Sequence, residues 1–231
     1  MTRYRHILLL LILPIVSAAQ RDKAILKRHF DAQDQELWNQ VNTFSTDGVL
    51  ATGKKTLRVE FLAKKPNKIK IIDEEKNIVY GFNGKAGWMM TSTGQEPVIL
   101  DEELSMILKN TYEFGSPLYQ KENLNYMSEV TVERVRCHWW VYKEKDLRYE
   151  FFVDKSRDLI YKVIIEKRSP EGELEYSISK TITQYRNFQG FMTPSVILIR
   201  STHHEWELAF NEMFLGEGIR SSIFEIPKSN Q

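Results

Sequence analysis

The chain carries five histidines and one cysteine, so nucleophilic and metal chemistry have few residues to draw on. His203 and His204 are adjacent; neighbouring side chains of a strand point to opposite faces, which keeps the two from sharing one metal ion. They read as turn and edge residues. His29 lies among charged neighbours in a helical pattern, where a solvated or capping role is expected rather than ligation. Cys137, between Arg136 and His138, has no second cysteine to pair with and reads as a small buried thiol. Gly115-Ser116-Pro117 lacks the Gly-x-Ser-x-Gly spacing of a nucleophile elbow and reads as a helix stop. There is no His-Glu-x-x-His pair and no phosphate-binding glycine loop. No catalytic or metal-binding residue is nominated, no cofactor is called for, and the chain is not expected to be an enzyme.

What the sequence holds in quantity is bulky apolar side chains at alternating positions. Leu57, Val59 and Phe61 share one face of a strand-like run, as do Ile69 and Ile71, Tyr80 and Phe82, Trp139 and Val141, and Tyr149, Phe151 and Val153. Any one of them is ordinary core. As a set they suit the wall of a large curled sheet enclosing a volume that its own side chains do not fill. The expected lining is Leu57, Val59, Phe61, Ile69, Ile71, Tyr80, Phe82, Trp88, Trp139, Val141 and Phe151, with Leu104 and Leu108 on a covering helix. Such a cavity suits acyl chains, which need apolar burial and few hydrogen bonds.

These residues have to be positioned by strands. From Leu57 to Trp88 four alternating runs are punctuated by Pro66-Asn67, Glu75-Lys76-Asn77 and Asn83-Gly84, each with turn chemistry, which is the pattern of an antiparallel meander. Strand-like runs are Thr43 to Leu50, Thr56 to Ala63, Lys68 to Ile72, Ile78 to Phe82 and Ala86 to Met90. Later come Tyr126 to Val135, Cys137 to Lys143, Arg148 to Val153, Ile160 to Lys167, Leu174 to Tyr185, Phe191 to Arg200 and Glu205 to Phe214. Hairpin-length connections favour one antiparallel sheet. A helix over Asp22 to about Gln40 has Leu26, Phe30, Leu37 and Val41 near one face, and a shorter one runs from Asp101 to Tyr112 with three acids in its first turn. Gly115 and Pro117 stop it. The expected fold class is mainly β: an incomplete, half-open antiparallel β-barrel of about 11 to 12 strands, with an N-terminal helix and a short lid helix on the concave side.

Arg3 and Arg5, an apolar run from Ile7 to Val16 and the small residues Ser17-Ala18-Ala19 have the layout of a secretory signal cleaved near Ala19 and Gln20. The apolar run is shorter than the roughly 20 residues that span a bilayer. Residues 20–231 are expected to form one domain in the periplasm. Across the chain 32 Lys and Arg face 31 Asp and Glu, and such balance gives no footprint for nucleic acid.

The opening helix Ala24-Ile25-Leu26-Lys27-Arg28-His29-Phe30-Asp31-Ala32, the Lys65-Pro66-Asn67-Lys68 turn, the Gly81-Phe82-Asn83-Gly84-Lys85-Ala86-Gly87-Trp88 hairpin, the segment Tyr185 to Ser195 and the closing Ile223-Phe224-Glu225-Ile226-Pro227 come in an order and spacing that resembles the LolA-type outer-membrane lipoprotein-sorting family. The resemblance implies an unclosed barrel covered by helices and a periplasmic carrier, or chaperone, for lipoprotein acyl chains or a related lipid. It implies as partners an inner-membrane releasing complex and an outer-membrane acceptor, with the carrier itself a monomer. No cysteine stands directly after the cleavage site, which resembles the soluble carrier rather than an anchored acceptor. Gln33-Asp34 replaces the Gly-Gly pair of many relatives, and Arg58 is the nearest position to the family's lid-closing arginine. The other reading is a periplasmic lipid- or peptide-sensing regulatory module on the same fold.

Overall fold

The structure is a computed structural model and describes residues 20–75, 77–91, 96–216 and 218–227. The secretory signal expected over residues 1–19 lies outside the described residues. Among the described residues no helix is long and apolar enough to cross a membrane.

Residues 20–32 form helix α1, and Gln35–Gln40 form α2. The periodicity predicts one helix here, but the backbone breaks at Asp34, which takes φ 53° and ψ 40°. The Asp34 carboxylate accepts the Met192 amide at 2.8 Å, so the break is tied to a strand. It also turns α2, so that Trp38 is fully buried while Leu37 is 42 % exposed. The buried positions of α1 are Ile25 and His29, one turn apart, with Leu26 and Phe30 only half-buried. The apolar face read from the sequence is thus displaced by one position.

Strands β1 (Thr43–Thr52), β2 (Lys55–Lys64), β3 (Lys68–Asp73), β4 (Ile78–Phe82), β5 (Gly87–Thr91) and β6 (Val98–Ile99) follow, then helix α3 (Glu102–Lys109). Seven more complete the chain: β7 (Asn125–Val132), β8 (Val135–Glu144), β9 (Leu147–Asp154), β10 (Ile160–Arg168), β11 (Leu174–Phe188), β12 (Phe191–Arg200) and β13 (Glu205–Leu215), with a 3-10 turn at Ser221–Phe224. The described strands form one antiparallel sheet of 13, ordered β6-β5-β4-β3-β2-β1-β13-β12-β11-β10-β9-β8-β7. Two meanders meet where β1 pairs with β13, and β6 and β7 remain as free edges. The barrel is half-open, as the patterning predicts. The strand beyond the expected count is β6, whose two exposed residues are too few to show a period.

One core cluster draws side chains from β1 to β4, β8 to β13 and all three helices, so the sheet curls around them. The connection from β6 to β7 crosses this concave side. Asp101 caps α3 by accepting the Leu104 amide at 2.8 Å, and Glu102, Glu103 and Lys109 suit the helix dipole. The helix ends at Lys109, three residues before the expected Tyr112: Asn110 Nδ2 and Thr111 Oγ1 donate to the carbonyls of Met106 and Ile107, each at 2.8 Å, and close its last turn.

The convex side carries a second small layer. Residues 219–227 cross β2 to β5 there: Lys64 Nζ donates to the Ile219 carbonyl at 2.7 Å, Lys68 pairs with Glu225 at 2.8 Å, and Phe224 is fully buried. The Trp88 indole lies under this strap and donates Nε1–H to the Phe224 carbonyl at 3.1 Å. A Cβ on Gly81 would stand 2.2 Å from that ring, so the glycine lets the indole lie on β4.

Candidate functional site

The register brings ten of the thirteen predicted lining residues to the concave interior. Phe61 faces Ile71, which faces Tyr80; Ala63 faces Ile69, which faces Phe82. Val59, Phe61, Ile69, Ile71, Phe82, Leu108 and Phe151 are buried in the core cluster, and Leu57, Tyr80 and Leu104 pack against it half-buried. Three expectations are corrected. Trp88 pairs with Gly81 and lies on the convex face under the C-terminal strap. Trp139 pairs with Phe152 and stacks on it at 6.3 Å and 9°, and Val141 pairs with Glu150. The interior positions of β8 are instead Trp140, opposite Phe151, and Tyr142, opposite Tyr149. Residues 139–142 are all apolar or aromatic, so alternation cannot say which phase points inward.

The connection between β6 and β7 occupies much of this interior. Met106, Ile107 and Leu108 of α3, then Tyr112 and Leu118, occupy the concave side and are buried there. The void between Ile107 and Val163, Ile165, Ile178 and Ile199 measures about 10 Å³, barely one water. At the other end Tyr112 sits in an aromatic cluster, 4.5 Å from Phe44, 5.7 Å from Phe210 and 6.1 Å from Phe61. Residues 102–118 therefore form a cover over the concave face of the sheet. Larger open space lies outside, in a groove of about 660 Å³ between α1 and α2 lined in part by Leu26, Phe30, Leu37 and Tyr119.

Polar ties hold the cover at separate points. At its start Glu102 pairs with Lys167 at 2.6 Å and accepts from the Tyr176 hydroxyl at 3.3 Å. Ser105 Oγ accepts the Gly87 amide at 3.2 Å, and a Cβ on Gly87 would come within 3.0 Å of the Ser105 Cα; the helix lies this close because β5 has a glycine there. In the middle Lys180 donates to the Asn110 carbonyl at 2.9 Å and pairs with the Glu113 carboxylate. The Tyr112 hydroxyl bonds Thr193 Oγ1, and burial holds its pKa well above the ordinary tyrosine range. At the end of the cover, Ser116 bonds the buried His29.

Lys180 is the residue that sequence reasoning missed. It is 3 % exposed on β11 between Ile178 and Ile182, opposite Val163 and Ile199, so a cation occupies an apolar wall position. The signal was present as a lysine in phase with Tyr176, Ile178 and Ile182. Arg58, the nearest strand position to the family's lid-closing arginine, is exposed on the other face of β2 from Val59 and Phe61. His29 also departs from expectation, being fully buried rather than solvated. Cys137 is buried as expected, and burial pushes its thiol up to about 11. Among the described residues no group of His, Cys, Asp and Glu could hold a metal ion.

A half-open antiparallel barrel with a helix-bearing connection inside it defines a LolA-like fold, and solved structures share it. A DUF1329 family protein of Desulfovibrio piger superposes with a TM-score of 0.56 at 11 % identity over 86 % of this chain and 96 % of its own. A LolA superfamily protein of Nitrosomonas europaea does so with 0.55 at 13 % identity, over 88 % and 96 %. No family model and no curated protein matches the sequence.

Proposed function

We propose that the protein is a periplasmic carrier that holds acyl chains, of lipoproteins or of a related lipid, against the concave face now occupied by the cover. The observation that carries this reading is the interior itself: an apolar wall on the curled sheet, broken by Lys180 and filled by a connection rather than by strands. Moving the cover exposes Met106, Ile107, Leu108, Tyr112 and Leu118, at about 2 kcal/mol each, or roughly 10 kcal/mol in all. A chain of about 16 methylenes regains roughly 13 kcal/mol when it passes from water into that place. The exchange is near balance, so cargo can enter and leave without chemistry. The fold likeness to a LolA superfamily structure agrees with this reading.

Mass spectrometry of the organic extract of protein purified from its own periplasm, beside a matched soluble control, tests the reading. Stoichiometric diacyl lipid or lipidated peptide supports it. An empty extract from folded protein that also binds no acyl probe overturns it and leaves the sensing module as the better account.

A further inference from the structure

Both partners of Lys180 among the described residues, the Asn110 carbonyl and the Glu113 carboxylate, sit on the cover. Its same-face neighbours along β11 and its direct partners on the flanking strands are all aliphatic: Ile178, Ile182, Val163 and Ile199. When the cover leaves, an ammonium that is 3 % exposed in the closed state is left facing an aliphatic wall. A buried ammonium without an anion is strongly disfavoured. Acyl chains alone refill the apolar volume and do nothing for this charge.

Resting on the carrier reading, we infer that Lys180 selects cargo, and that the ligand is an amphiphile whose acyl chain ends in an anionic group, a carboxylate or a phosphate. The incoming anion takes the place of Glu113 while the chain takes the place of Ile107 and Leu108. Opening and loading are then one exchange of ion pair for ion pair, and a neutral lipid, which brings only ester or amide oxygens, leaves the lysine poorly matched. Glu113 is the partner suited to be displaced: its side chain is 28 % exposed, against 4 % for Lys180, so it returns to water at lower cost.

The test compares cis-parinaric acid with its methyl ester, by fluorescence titration of the full mature chain stripped of lipid. The acid binds roughly tenfold to a hundredfold tighter than the ester, as a charge-assisted hydrogen bond implies. Lys180→Met brings the acid down to the affinity of the ester. If that variant does not fold, the doubly neutral Lys180→Met, Glu113→Gln pair replaces it. Displacement of the acid by palmitate, by palmitoyl lysophosphatidate or by both supports the inference and shows which anion is accepted. Equal affinity for acid and ester in the unaltered protein overturns the inference and leaves the carrier reading standing; binding of neither overturns both.

Discussion

Nε2 of His29 on α1 lies 2.6 Å from Oγ of Ser116 at the end of the cover, while Nδ1 of the same ring lies 2.7 Å from the carbonyl of Asp158. A carbonyl only accepts, so Nδ1 carries the proton and Nε2 accepts from the serine hydroxyl. One neutral imidazole thereby joins the first helix, the cover and the turn between β9 and β10. Burial draws its pKa down to about 4, against the opposing pull of Asp158.

Stability should therefore fall in acid through this residue. The unfolded chain binds the proton at about 6.5 and the folded chain at about 4, so between these values the unfolded state holds more protons and is favoured. The contribution is complete above pH 6.5 and is lost as pH falls towards 4, roughly 3 kcal/mol in total. Urea midpoints at pH 7.5 and 4.5 should show a larger loss for the unaltered protein than for His29→Gln. Equal losses in both would mean that the ring is not neutral and buried.

Gly87→Ala should loosen the cover. The added Cβ meets Ser105 at backbone as well as side chain, so α3 has to move off β5, at a cost of about 1–3 kcal/mol. Hydrogen exchange of the α3 amides should accelerate while that of β1 and β13 stays unchanged. Uniform acceleration would show that α3 opens only with the whole sheet.

Trp88→Phe should separate stability from cargo binding. It removes the bond to the Phe224 carbonyl and part of the contact with Gly81, and should destabilise by about 1–3 kcal/mol, read from the urea midpoint. Affinity for an acyl probe should be unchanged, because the indole is on the convex face. A tenfold loss of affinity would return Trp88 to the interior.

Arg58→Ala should be silent. An exposed arginine outside the core is expected to shift stability by no more than about 0.5 kcal/mol and leave probe binding alone. An effect on binding as large as that of Lys180→Met would show that the cover is held from the other face of β2.

Much of the sheet was readable because single-faced strands announce themselves. In β2, Leu57, Val59 and Phe61 alternate with Arg58 and Glu60, and in β3, Ile69 and Ile71 alternate with Lys68 and Lys70, and those strands lie where the pattern puts them. The phase was not readable for Trp139 and Val141, since β8 has bulky residues on both faces, nor for Trp88, whose convex position depends on a strap more than a hundred residues later in the chain. The helix break at Asp34 was hidden too, because Gln33-Asp34 fits a helical period and the turn is marked by the bonds of these two side chains to the distant Met192.

By itself the sequence determined a mainly antiparallel chain with one capped helix between two meanders, an apolar inner phase for β2, β3, β4 and β9, and no motif for catalysis or metal binding. These follow from local period, turn chemistry and capping, which act over a few residues. Only the tertiary structure decided that β1 pairs with β13, that the connection holding α3 fills the concave side, and that His29 and Lys180 are buried with partners 87 and 67 residues away. Those outcomes rest on contacts between distant segments, where burial of a polar group is tolerated because a specific partner arrives to meet it.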